Sequence, residues 1–150
     1  MGGMAEPVCS SFSVTHIGLI VPDAELTARN YEKVFGLKPV TVWDTGVHTY
    51  TYRGKAAEGR LKGAFVPMGP ISIELLQPVA GPSLWRDALD RGGGVQHIAF
   101  RVGDGGDRDE GAFVAAGMPV IQRGDYTGGC YRYVDTDKFL GVGVEFTANR

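Results

Sequence analysis

Val14-Thr-His-Ile-Gly-Leu-Ile-Val-Pro-Asp23 and Val95-Gln-His-Ile-Ala-Phe-Arg-Val-Gly-Asp104 decide how this chain is read. The two stretches lie 81 residues apart throughout, and five of their ten positions are identical: Val14/Val95, His16/His97, Ile17/Ile98, Val21/Val102 and Asp23/Asp104. Downstream, Phe35-Gly-Leu-Lys-Pro-Val40 is echoed by Ala116-Gly-Met-Pro-Val120. Each half then closes on a short apolar strand holding one glutamate, Ser72-Ile-Glu-Leu-Leu76 and Gly143-Val-Glu-Phe-Thr147. Self-similarity of this kind marks a duplicated unit. The chain reads as one domain over 13–148, made of two copies at 13–78 and 93–148. Residues 79–92 join them, and 1–12 form a flexible leader.

Each copy reads strand, helix, then several strands. Residues 13–21 alternate and are rich in β-branched side chains. Asp23 can cap a helix through Phe35, with Leu26, Tyr31, Val34 and Phe35 toward the core, and Gly36 ends it. Strands are expected near 38–43, 47–53, 61–67 and 71–77. Ser83–Arg91 is a short linking helix stopped by the glycines 92–94. The second copy gives a strand at 95–102, a weaker helix near 108–116, and strands near 118–122, 130–135 and 142–147. Residues 103–110 read as a turn and helix start, since their acidic run fits no EF-hand spacing.

Side chains alternate between the two faces of a strand. In the first strand His16 and Gly18 therefore oppose Ile17, Leu19 and Val21. In its counterpart His97 and Ala99 oppose Ile98, Phe100 and Val102. Glu74 opposes Ile73 and Leu75, and Glu145 opposes Val144 and Phe146. If the apolar rows pack on helices, two imidazoles and two carboxylates converge in a shared concavity, with Gly18 and Ala99 leaving room. Such a set suits a divalent metal with positions left open for substrate.

Composition excludes other classes. The chain has 150 residues, a net charge of -2, 43% hydrophobic and 21% charged residues, which is globular and of single-domain size. Near-neutral charge gives no case for nucleic acid or an anionic membrane surface. No secretory signal and no 18-residue apolar run are visible, and Cys9 and Cys130 read as reduced thiols, so a cytoplasmic protein is expected. His48 reads as a surface residue of a loop. There is no Walker A or G-x-S-x-G motif.

These residues resemble the vicinal oxygen chelate superfamily of glyoxalases, bleomycin-resistance proteins and extradiol dioxygenases. The likeness rests on His16-Ile-Gly-Leu-Ile-Val-Pro-Asp23, Tyr31-Glu-Lys-Val-Phe-Gly-Leu37, Ile73-Glu-Leu-Leu-Gln-Pro78, Gly94-Val-Gln-His-Ile-Ala-Phe100 and Gly143-Val-Glu-Phe146. It implies an α+β fold of two tandem βαβββ modules forming one half-barrel cleft. It also implies a divalent ion (Co, Mn, Ni, Zn, Mg or Fe) on His16, Glu74, His97 and Glu145, and a homodimer. Within the superfamily the chain is most similar to methylmalonyl-CoA epimerases, by its linker and by Glu58, which falls where their catalytic glutamate does.

The resemblance implies a metal-dependent isomerase that stabilises an enolate next to a carbonyl or thioester. Glu58 and Glu145 would exchange the proton, and the substrate would be a small carbonyl compound or an acyl-CoA. The stretch 44–57 is longer than in those epimerases, and the His-Pro step expected before the last strand is missing. Tyr50, Tyr52 and Arg53 from that stretch are candidate substrate contacts. Trp43, Tyr126, Tyr131 and Tyr133 would suit a ring or polyketide-like substrate. Two alternatives follow: another isomerase or lyase for an aromatic or polyketide-like carbonyl compound, and a non-catalytic small-molecule binding protein.

Overall fold

The computed structural model describes residues 6–9, 12–102 and 106–149. In chain order the elements are β1 (Phe12–Ile20), α1 (Ala24–Phe35), β2 (Val42–Asp44), β3 (His48–Tyr52), β4 (Lys55–Pro67), β5 (Ser72–Ala80) and α2 (Leu84–Asp90). There follow β6 (Gly94–Val102), α3 (Gly106–Ala115), β7 (Val120–Tyr126), β8 (Gly129–Val134), α4 (Asp137–Leu140) and β9 (Gly143–Asn149). The architecture is mixed α+β.

The sheet runs β4-β3-β7-β8-β9-β6-β1-β5, and β5 pairs back onto β4, so eight strands close a barrel with β2 beside β4. A half-barrel was expected; the ring closes because β4 is longer than the expected 61–67. Its 13 residues pair with β3 over Lys55–Gly59 and with β5 over Arg60–Pro67. The earlier start comes from a tight hairpin at Arg53-Gly54, both at positive φ (49° and 76°), the backbone that lets two strands turn back in two residues. The first half thus carries four strands after its helix, one more than a βαβββ unit, and the second carries three. β1 lies parallel to β5 as β6 lies parallel to β9, and β1 and β6 meet antiparallel in the middle.

α1 begins as expected. The Asp23 carboxylate accepts from the Leu26 amide at 2.9 Å, and Gly36 ends the helix at φ 65°. Its buried face differs. Leu26, Val34 and Phe35 are exposed, while Ala24 and Ala28 are fully buried against the sheet. Small residues let the helix backbone approach β4 and β5 closely, and this sets which stripe faces inward. Tyr31 packs at the edge of the same cluster with Leu19, Val21 and Ile73.

α2 does more than join two halves. Ser83 caps it by accepting from the Arg86 amide. Leu84, Trp85 and Ala88 pack on Ile20, Leu61 and Leu76 inside the barrel and fill one end. α3 covers the other side of the second half, stacking Phe113 on Phe146 at 5.5 Å.

Within the leader, Val8 and Cys9 rest on that same cluster; residues 1–5, 10 and 11, and the expected turn at 103–105 with Asp104, lie outside the described residues. Among the described residues Cys9 and Cys130 are not joined in a disulfide. Among the described residues no helix is long and apolar enough to cross a membrane.

Candidate metal centre

The four ligand candidates stand on four adjacent strands, β5-β1-β6-β9, in two rows across the sheet. One row reads Glu74, Gly18, His97, Gly143; the next reads Ser72, His16, Ala99, Glu145. Ligand and small residue alternate along each row, and the order is reversed between rows. A Cβ on Gly18 would lie 1.9 Å from His97 Cε1, so the imidazole occupies the volume that glycine leaves open. The alternation of faces read from the sequence is therefore what brings two imidazoles and two carboxylates together.

They meet as a ring. His16 Nε2 lies 3.0 Å from Glu74 Oε2 and 3.6 Å from Glu145 Oε2; His97 Nε2 lies 3.4 and 2.8 Å from the same atoms. All four donor atoms fall within 4.8 Å of one another, and all four residues are buried. Although these separations are those of hydrogen bonds, none of the four atoms has a hydrogen-bond partner. Buried polar atoms left in that state are costly. Donors so spaced match a shell of ligands about 2.0–2.2 Å from a central ion. The set fits a divalent metal on geometry and on chemistry, imidazole with carboxylate.

Electrostatics agree. Burial alone would lower the His16 imidazole, but Glu145 and Glu74 outweigh it and push it up to about 10. His97 behaves alike, burial opposed by Glu145 and Glu74, and is raised to about 9. Burial raises Glu145, yet the two imidazoles overcome it and hold it near 2.

Each imidazole is also held from behind. Thr15 Oγ1 lies 3.1 Å from His16 Nδ1 and donates its own proton to the Ala99 carbonyl at 3.4 Å. Gln96 Oε1 lies 2.6 Å from His97 Nδ1. An acceptor at Nδ1 leaves Nε2 as the lone pair facing the ring. Strict alternation would send Thr15 and Gln96 to the opposite face. Both are the extra residue of a β-bulge: pairing steps from Val14/Phe100 to His16/Ala99, and from Gly18/His97 to Leu19/Val95. Bulges of this kind re-aim side chains at sites. The one signal in the sequence was a polar residue directly before each histidine at the same place of the repeat.

The ring opens on a cavity of about 560 Å³. Trp43, His48, Phe65, Trp85, Tyr131 and Tyr133 line it, with Arg101 and Asp125 on the same wall. Trp85 Nε1 donates to the Tyr133 hydroxyl at 3.1 Å. His48, expected at the surface, is on this wall.

Other candidates are placed elsewhere. Glu58 is exposed on β4 and does not line the cavity. Tyr50, Tyr52 and Arg53 do not line it either. Tyr50 follows the inward face of β3 past His48 to pack on Trp85, its hydroxyl donating to the Pro82 carbonyl at 2.8 Å. The Tyr52 hydroxyl donates to Asp87 of α2. Exposed Arg53 donates to the Tyr52 hydroxyl at 2.9 Å and pairs with Asp87 at 3.3 Å. α2 fills the space between these three residues and the cavity.

Fold and site together define a closed barrel that presents a buried two-histidine, two-glutamate ring to an aromatic cavity. The chain belongs to the glyoxalase/bleomycin resistance protein/dioxygenase superfamily, whose sequence profile matches residues 15–134. No curated protein matches it in sequence. Among solved structures it is similar to a hypothetical protein from Bacillus halodurans C-125, at TM-score 0.66 and 22% identity over 94% of this chain and 96% of that one. It is similar to methylmalonyl-CoA epimerase from Mycobacterium tuberculosis, at TM-score 0.62 and 22% identity over 91% of this chain and 87% of that one. A variant of the Streptomyces coelicolor epimerase in complex with 2-nitronate-propionyl-CoA matches at TM-score 0.62 and 24% identity over 93% and 99%. At these identities the likeness is one of fold.

Proposed function

We propose that this chain is a divalent-metal-dependent isomerase of the epimerase kind, moving a proton next to a carbonyl. The observation that carries this reading is the ring of four buried donor atoms without hydrogen-bond partners, open to a cavity. The near-equivalence of the two rows supports reading the halves as copies of one unit, each giving one histidine and one glutamate. A divalent ion held by His16, Glu74, His97 and Glu145 would supply Lewis acidity to a substrate carbonyl, easing loss of the α-proton.

The chain's own groups do the rest. Thr15 and Gln96 hold the imidazoles in one tautomer. Trp85 and α2 close one end of the barrel and keep water from that side. Glu145 stands at both ring and wall and is placed for one side of the proton exchange. For the other side, the exposed Glu58 is the assignment by likeness, whereas His48 is on the wall and carries an imidazole, a group able to take and return a proton. We favour His48. By likeness, the protein is a cytoplasmic homodimer, which predicts a solution mass near twice 16.1 kDa by light scattering.

The test is solvent exchange. Metal-loaded protein in deuterated water should wash deuterium into the α-position of a bound carbonyl or thioester substrate. His48→Gln should slow exchange about a hundredfold or more while still holding metal, and Glu58→Gln should leave it unchanged. Metal bound with no exchange into any carbonyl substrate would favour the binding-protein reading. Loss of exchange in Glu58→Gln alone would return the role to Glu58.

A further inference from the structure

The walls of the cavity say what kind of carbonyl compound it takes. One group of rings meets His97: Tyr133 at 5.0 Å, with Tyr131 and Trp85 at 5.6 and 5.9 Å from Tyr133. A second group meets His16: Phe65 at 5.5 Å, with Trp43 at 6.4 Å from Phe65. Each imidazole of the ring is thus backed by an aromatic wall. Flat π surfaces of this kind are matched by another flat ring, in stacked or edge-on contact.

The cavity volume suits one small organic molecule.

Charge points the same way. The nucleotide end of an acyl-CoA carries several phosphate charges and calls for a cluster of cations. Among the described residues Arg101 is the one cation on the wall; it donates to Asn149, and Asp125 shares that wall. Arg53 and Arg60 do not line the cavity and are paired with Asp87 and Asp44.

We infer that the substrate is an aromatic carbonyl compound, its chelating oxygens at the His/Glu ring and its aromatic ring between the Phe65/Trp43 and Tyr133/Tyr131/Trp85 walls, rather than a CoA thioester. This rests on the metal-centre reading above.

Three 1,3-dicarbonyl probes share one chelating unit and differ in what is attached: acetylacetone, benzoylacetone and acetoacetyl-CoA. The chain has two tryptophans, Trp43 and Trp85, and both line the cavity, so quenching of intrinsic fluorescence reports its occupancy. With Co²⁺- or Ni²⁺-loaded protein, benzoylacetone should bind about tenfold or more tighter than either other probe. Phe65→Leu, at a half-exposed position that tolerates change, should reduce that preference without altering metal affinity. Equal affinity for acetylacetone and benzoylacetone, or tighter binding of acetoacetyl-CoA, overturns the aromatic assignment and leaves the metal centre standing. If no probe binds although metal is held, or no metal is held, the reading beneath it falls as well.

Discussion

Thr15 and Gln96 show how a single residue can decide a ligand's lone pair. Each accepts from, or stands opposite, a histidine Nδ1 while that histidine's Nε2 faces the ring. Thr15→Val and Gln96→Ala should each weaken metal affinity about tenfold to a hundredfold, measured by competition with a chromogenic chelator, with the fold retained. Unchanged affinity in both would show the tautomer is fixed by something else. The raised imidazoles make a second prediction. Ions must displace their protons, so binding should release up to two protons near neutral pH, read as a dependence of the calorimetric heat on buffer ionisation enthalpy. In the metal-free protein the sign is opposite. Groups raised on folding stabilise fully below their ordinary value near 6.5, and that stability is lost as pH rises through about 9 and 10. Glu145, held near 2, contributes above its ordinary 4.5 and loses that contribution as pH falls through about 2. The melting temperature of the metal-free form should therefore decline from pH 6.5 to 10 while the gain on adding metal grows.

Among the elements, α1 shows where periodicity misleads. Its cap and its end were legible, because Asp23 and Gly36 act through their own backbone neighbours. Its buried face was not. A hydrophobic stripe predicts which side chains prefer to leave water, but the approach distance of the sheet decides which can. Ala28→Leu, at a fully buried contact, should cost about 1–3 kcal/mol by overpacking. Val34→Ser, in the stripe that the sequence pointed inward, should stay within about 0.5 kcal/mol. Denaturant unfolding of both variants checks this, and a larger loss at Val34 would restore the apolar face.

On the scale of the whole molecule, the ring draws on β1, β5, β6 and β9, so one ion would tie together strands from both halves. Binding to the folded state alone adds about 2.7 kcal/mol at a hundred times Kd, worth roughly 5–10 °C for a chain of this size. Thermal scans with and without Co²⁺ or Ni²⁺ should show that rise, and Glu145→Ala should abolish it. A rise of equal size in Glu145→Ala would place the ion elsewhere.

The sequence by itself determined the duplication, the strand faces that carry His16, Glu74, His97 and Glu145, and the clearance at Gly18. These follow from period-two alternation and from an exact offset, both local properties of the chain. Only the tertiary structure decided that Thr15 and Gln96 turn to the histidines, since a bulge depends on the partner strand's register. Closure of the barrel likewise depends on β4 finding two edges at once. The placement of His48 on the cavity wall, and of Tyr50, Tyr52 and Arg53 off it, depends on where α2 fills the interior, while Glu58 lies on the exposed face of β4. Contacts between residues far apart in sequence leave no mark on local periodicity, and it is those contacts that shape the cavity.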